Sequence, residues 1–419
     1  VADAAPRSFG AVFRVREFQA LWFAQVFSIA GDQLARVALT LLVYARTGSA
    51  LLTAFTYALT FLPDLIGGPL LSGIADRYPR RAVMVTSDLA RAVLVGVMAI
   101  NGMPLVAVCV LLVLVQLLNS PFNAARAAVL PAMLDGDLFV GGQSIINITY
   151  QTGTLAGYVA GGALVAFTNP HVALAIDAAT FVLSAALVRL GLLHRDAAAV
   201  RRTGQGGSDT FRALREGTSL MMRSRPLRGL VALACLSGFY VVGEGLAVPY
   251  AHQLHGGALT AGLLFAAMPA GTALGMLLLT RFLAPATRLR LIGPLAVVCC
   301  AVLVACFANL GLAGTVAVWV VSGFAGAYQT FAAAAFVIAV PDNLRGQAYG
   351  LASTGIRVAQ GLGVVIGGAV TESLMPSLVV AIFASLGTIL AVVAAFAWDR
   401  ARRDITPGDN GGTERVAES

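Results

Sequence analysis

Gly73-Ile74-Ala75-Asp76-Arg77-Tyr78-Pro79-Arg80-Arg81 stands between two apolar runs in a chain built almost wholly of apolar runs. An acid and three arginines at such a seam are expensive in hydrocarbon, where an ionisable group at a helix centre costs about 2.5–3.5 kcal/mol. At a membrane surface the same charges cost little and are free to act. The segment therefore reads as a polar loop at the water interface, joining two membrane helices.

Composition puts lipid around those helices. The 419 residues are 58% apolar and 11% charged, with mean hydropathy +0.84, whereas a soluble domain carries about a quarter charged residues. Lipid offers backbone N–H and C=O groups no partner, so a spanning segment must pair them internally. The Leu, Ala and Val content and the 45 Gly favour close-packed helices over a barrel, whose strands would alternate apolar and polar. Windows of about 20 residues mark twelve expected spans at 20–44, 50–72, 82–101, 104–130, 141–167, 171–193, 228–251, 258–282, 291–310, 313–340, 346–371 and 376–398. The first runs too long and carries too much charge, Asp32 and Arg36, for a signal peptide.

A net charge of +8 raises the question of nucleic acid, and the positions of the charges answer it. The chain has no Lys, and nearly all of its 28 Arg fall in alternate loops. They occupy the N-tail, the loop at Arg77–Arg81, the end of span 4 at Arg126, the centre at Arg195–Arg228, the loop at Arg281–Arg290, Arg345, and the tail at Arg400–Arg403, while the other loops hold Arg46. This asymmetry is the positive-inside pattern and predicts cytoplasmic termini and linker; no nucleic-acid partner is expected. The five Cys all lie in apolar windows without metal-ligand spacing, and His252 and His255 lack a third ligand, so neither metal nor cofactor is expected.

The chain also repeats itself. Phe27-x-x-x-Gly31-Asp32-x-Leu34-Ala35 recurs as Phe239-x-x-x-Gly243-Glu244-x-Leu246-Ala247, 129–136 as 339–346, and 157–164 as 363–370. Six spans return the chain to its starting side, so the halves have parallel topology. The expected organisation is an N-tail 1–18, a six-helix half 19–193, a linker 194–226, a second half 227–398 and a disordered tail 399–419.

The loop 73–81 resembles the signature loop of the major facilitator superfamily, with Pro79 where that family usually has Gly. The resemblance implies an all-α membrane fold of twelve helices in two parallel-topology halves, with substrate bound between them near the midplane. Gly31-Asp32, Leu42-Val43-Tyr44, Thr47-Gly48-Ser49, Arg126–Pro131 and Asp177-Ala178-x-x-Phe181 are similar to the drug and siderophore exporters of that superfamily, the enterobactin-exporter and macrolide-efflux branch. That likeness implies a monomeric, multi-pass inner-membrane exporter of a small hydrophobic or amphiphilic molecule, exchanging it for protons.

Within that frame Asp32 is the candidate proton carrier, since a carboxyl desolvated near mid-membrane favours its neutral form. The alternatives are a structural pair with Arg36 at i+4 and a contact to a cationic substrate. Glu244 stands at the repeat-equivalent place, facing the cavity or acting as a hydrogen-bonded packing residue, and Arg357 is a third mid-membrane charge for either acid or an anionic substrate. Gly73, Asp76, Arg77, Arg80 and Arg81 read as a conformational latch toward the start of span 11, extended by Asp88 and Arg91. Gly153, Gly157, Gly161 and Gly162 resemble the exporters' span-5 glycine motif, with Tyr158 replacing its Pro. Span 4 has Gln116 and Asn119 where many drug–proton antiporters have a basic residue. The rival readings are a proton-coupled uptake symporter and a receptor that does not transport; an enzyme is not expected.

Overall fold

The computed structural model describes residues 9–71, 74–195, 224–341 and 345–401. Gly73, the side chains of Asp64 and Asp76, most of the expected linker and both outer tails lie outside the described residues. Every described element is helical. Besides single turns at Phe9–Val12 and Ile74–Arg77, the first half contains α1 (Arg16–Thr47), α2 (Ala50–Leu59), α3 (Asp64–Leu71), α4 (Arg80–Met98), α5 (Leu105–Met133), α6 (Asp137–Phe167) and α7 (Pro170–Gly191). The second half contains α8 (Arg225–Cys235), α9 (Ser237–Tyr240), α10 (Val242–Gly245), α11 (Ala247–Gln253) and α12 (Ala258–Phe282). It continues with α13 (Pro285–Ala301), a 3-10 stretch (Val302–Ala308), α14 (Gly311–Gly326), α15 (Tyr328–Ala339), α16 (Arg345–Thr371) and α17 (Pro376–Ala401).

Helix occupies most of each window read from the sequence, and nine stretches among the described residues are long and apolar enough to cross a membrane. The ends follow local chemistry. Ser49 and Asn169 accept hydrogen bonds from Leu52 N and Val172 N as N-caps, and α1 stops at Gly48 in the left-handed region, φ 66°. Four windows are broken: the ninth passes into the 3-10 stretch at Val302, the tenth is interrupted at Ala327, and the second and seventh break more sharply. The second gives way between Leu59 and Asp64, just before which Pro63 removes a backbone donor. The seventh is cut into α8 to α11 at Leu236, Val241 and Leu246, where i to i−3 bonds such as Leu246 N to Gly243 O, 3.1 Å, tighten the backbone.

Large apolar side chains such as Val93, Phe167, Leu190, Leu277 and Phe396 point outward and are mostly exposed, as a surface facing lipid requires. The halves meet where α6 packs on α12 and α2 packs on α16. Both crossings depend on missing side chains. A Cβ at Gly162 would stand 2.7 Å from Gly262 Cα, and one at Gly368 would stand 3.1 Å from Ala50 O. One buried cluster spans this junction, uniting Val37, Ala54, Tyr57 and Tyr158 with Val242, Phe265 and Trp319. It seals the end of the molecule near Ser49 and Glu372, opposite the Arg-rich end. Inter-half hydrogen bonds between oxygen or nitrogen atoms, among the described residues, cluster on that sealed side: Ser49 and Leu51 to Glu372, and Tyr57 to Glu244.

Candidate substrate cavity

Between the halves lies a cavity of about 890 Å³. It runs from the sealed junction at Arg36, Tyr57 and Glu244 toward Arg126, Leu230 and Tyr349 at the Arg-rich end. Its wall is a set of helical faces. Gln25, Ser28, Asp32 and Arg36 come from α1; Gln116, Asn119, Asn123 and Arg126, spaced i, i+3, i+7 and i+10, come from α5; Ser353, Arg357 and Gln360 come from α16.

Asp32 lies halfway along α1 on the cavity wall, its side chain 26% exposed. Its partner is not Arg36 but Arg91 of α4, whose Nη2 donates to Asp32 Oδ1 at 2.9 Å while the arginine itself is 1% exposed. Arg91 Nη1 also lies 3.5 Å from Asp88 Oδ1, and its guanidinium sits 4.0 Å over the Phe181 ring. Asp88 is fully buried and accepts from Ser184 Oγ at 2.6 Å. Asp177, also buried, packs its carboxyl against Gly31, where any Cβ would collide with it. Asp88 and Arg91 thus form, with Asp32, a polar cluster inside the first half. The sequence had placed them with the loop latch because they follow it closely. Eight or more residues of helix instead carry them about 12 Å or more along the α4 axis.

Arg36 turns the other way. Its Nη1 donates to Tyr158 Oη at 2.8 Å, and its guanidinium lies 5.8 Å from the Tyr57 ring centre. Tyr57 Oη donates to Glu244 Oε2 at 2.6 Å. Phe265 of the second half is stacked between the first half's Tyr57 and Tyr158, at 5.8 and 5.3 Å. Tyr158 is therefore an element of the seal between the halves. Glu244 faces the cavity and is hydrogen-bonded at once, so the two readings of this residue describe one arrangement.

The glycine stripe of α6 has two uses. Gly153, Gly157 and Gly161 lie against Ile29, Gln33 and Val37 of α1, the helix that carries Asp32, while Gly162 points across to α12. Around the loop 73–81, Arg80 Nη1 donates to Ala128 O at 2.8 Å and Arg81 Nη1 to Leu192 O at 3.1 Å. Both arginines cap carbonyls near helix ends within the first half; Arg77 is exposed. Arg126 and Arg357 line the cavity from opposite halves. Sequence reading had counted Arg126 among the surface arginines, although its spacing from Gln116, Asn119 and Asn123 marks a polar stripe. Tyr57, Phe265 and Glu372 gave no such signal, because their partners lie 187, 107 and 323 residues away in the chain.

Comparison with known proteins agrees with this geometry. Two curated relatives are the uncharacterized MFS-type transporters YfiS and YvqJ of Bacillus subtilis (strain 168). YfiS is 27% identical over 54% of each chain, and YvqJ is 26% identical over 41% of this chain and 42% of its own. Macrolide efflux protein A of Streptococcus pyogenes is 29% identical over 20% of this chain and 21% of its own. The matches span about half the length of these relatives or less. Among solved structures, a bacterial homolog of the human lysosomal transporter Spinster, inward-facing and unoccupied, superposes with TM-score 0.68 at 15% identity, covering 97% of this chain and 100% of that one. The POT family transporter PepTSo gives 0.72 at 14%, covering 93% and 99%. The family model for the Major Facilitator Superfamily matches residues 21–313 and 245–417. With two packed helical halves, a cavity between them and a family model matching both, this chain belongs to the Major Facilitator Superfamily.

Proposed function

We propose that this protein is a proton-coupled exporter of a small amphiphilic molecule, working by alternating access. The observation that carries the reading is Asp32, an acid on the cavity wall whose guanidinium partner has a second carboxylate within reach. Protonating Asp32 releases its hold on Arg91, and Asp88 keeps the buried cation paired. A proton can then enter from the cavity without leaving an uncompensated buried charge, a state that costs several kcal/mol. The positive-inside pattern supports a cytoplasmic Arg-rich end, so the cavity faces the cytoplasm in this inward-open state. The stretch similar to macrolide efflux protein A supports the outward direction of transport.

Inside-out vesicles holding a pH gradient reported by a quenched dye test the reading. A panel of macrolides and other amphiphiles should include compounds that dissipate the gradient with wild-type protein but not with Asp32→Asn. If the variant exchanges protons as the wild type does, Asp32 is not the coupling residue. Accumulation of labelled compound in energised whole cells would instead identify an uptake symporter.

A further inference from the structure

The charges on the cavity wall are not equally engaged. Asp32 is held by Arg91, Glu244 by Tyr57, and Arg36 by Tyr158. Arg126 on α5 and Arg357 on α16 line the same cavity, yet neither has a hydrogen bond or ion pair among the described residues. Each half contributes one. A guanidinium is always charged, and its planar fork matches a carboxylate or phosphate oxygen pair. The remaining wall mixes neutral amides with apolar groups such as Phe61, Phe122, Phe336 and Ile356, which suit an apolar body.

We propose that Arg126 and Arg357 form a two-sided clamp for the acidic head of the substrate, so that the transported molecule is an anionic amphiphile bearing a carboxylate or phosphate. The inference deepens the export reading and rests on it. It also turns the expected chemistry away from cationic drugs. Three guanidiniums and two already paired carboxylates face the solute, and a cation there gains no free anionic partner. The clamp suits alternating access. Without substrate, two like charges line the cavity from opposite halves and disfavour its closing; an anion between them replaces repulsion with attraction toward both halves.

The test uses the full chain in lipid nanodiscs, with empty discs subtracted, and three probes sharing one body. These are 11-(dansylamino)undecanoic acid, its primary amide, and the matching undecyl trimethylammonium compound. The carboxylate should bind about tenfold more tightly than either of the others, the contribution of a charge-assisted hydrogen bond. Arg126→Gln and Arg357→Gln should each reduce carboxylate binding toward the amide level, with the thermal unfolding midpoint of each variant reporting that it is folded. Lys at either position should restore part of the loss. Dodecyl phosphate should displace the carboxylate probe, and inorganic phosphate at the same concentration should not, separating an amphiphile site from a free-anion site. Equal binding of all three probes, or a preference for the ammonium, overturns the clamp and leaves the transporter reading standing. Binding of none of them by folded protein overturns the cavity as an amphiphile site, and the clamp with it.

Discussion

Burying Arg91 removes a guanidinium from water at a cost of several kcal/mol, and Asp32, Asp88 and the Phe181 ring offset it. Arg91→Met should therefore lower stability by about 3–5 kcal/mol, because it strips the carboxyl groups of their cation. Arg91→Met combined with Asp88→Asn should recover part of that loss, as removing both members of a buried pair costs less than removing one. The check is the thermal unfolding midpoint of the purified protein; a single variant melting with the wild type would refute the pairing. Tyr158→Phe makes the parallel case on Arg36. It removes the 2.8 Å bond to a guanidinium whose Nε already has no partner, with an expected loss of about 1–3 kcal/mol. Sequence reading found Asp32 because a charge halfway along an apolar run stands out. It could not find Arg91, which lies 59 residues away and is brought close because α4 and α1 both pack on α7.

Helices behave differently according to which neighbour their bare positions face. Gly161 and Gly162 are adjacent in α6, yet Gly161 meets α1 of its own half and Gly162 meets backbone of the other. A side chain at Gly162 would confront Gly262 Cα at 2.7 Å and Ala258 O at 2.8 Å, backbone atoms with nowhere to move. Gly162→Leu should accordingly force the sealed end apart and shift the population toward opening there. Gly161→Leu should act inside one half, lowering stability while the open-to-closed ratio stays near the wild-type value. Distances between spin labels at Asn101 and Leu312, in a background without the five native cysteines, distinguish the two; a matching shift in both variants would contradict the assignment. The repeat made these stripes legible as helix-packing faces, and the apolar windows located the nine membrane-length stretches among the described residues. Neither could show the breaks at Leu236, Val241 and Leu246, since apolar content does not report the hydrogen-bond pattern. The stripe from Gln116 to Arg126 was readable by its spacing, but Arg126 was absorbed into the count of surface arginines.

At the scale of the whole molecule, closure depends on contacts between halves that local sequence does not encode, and Glu372 is the clearest. It stands just past α16, exposed, and accepts from Leu51 N at 2.9 Å and Ser49 Oγ at 2.7 Å, adding a carboxylate from the second half to the start of α2 in the first. The hydrogen bond from the Leu51 backbone, then that from Ser49, hold its carboxyl below the ordinary glutamate range of about 4.5. A depressed value in the closed form means that the contact is fully present above that range and is lost as pH falls through the depressed value. Tyr44 and His252 line the same small pocket of about 210 Å³ as Glu372. Between pH 8 and 6 the Asn101–Leu312 label distances should therefore hold steady, and toward pH 4 a longer component should grow in the wild type. Glu372→Gln should carry that longer component at neutral pH, with closure weakened by about 1 kcal/mol, roughly fivefold in the equilibrium, as befits an exposed contact. Its response between pH 6 and 4 should be correspondingly flat, which separates Glu372 from any acid response arising elsewhere in the chain. Identical distance distributions for variant and wild type at both pH values would mean that the seal of Tyr57, Phe265 and Tyr158 closes that end without help from Glu372.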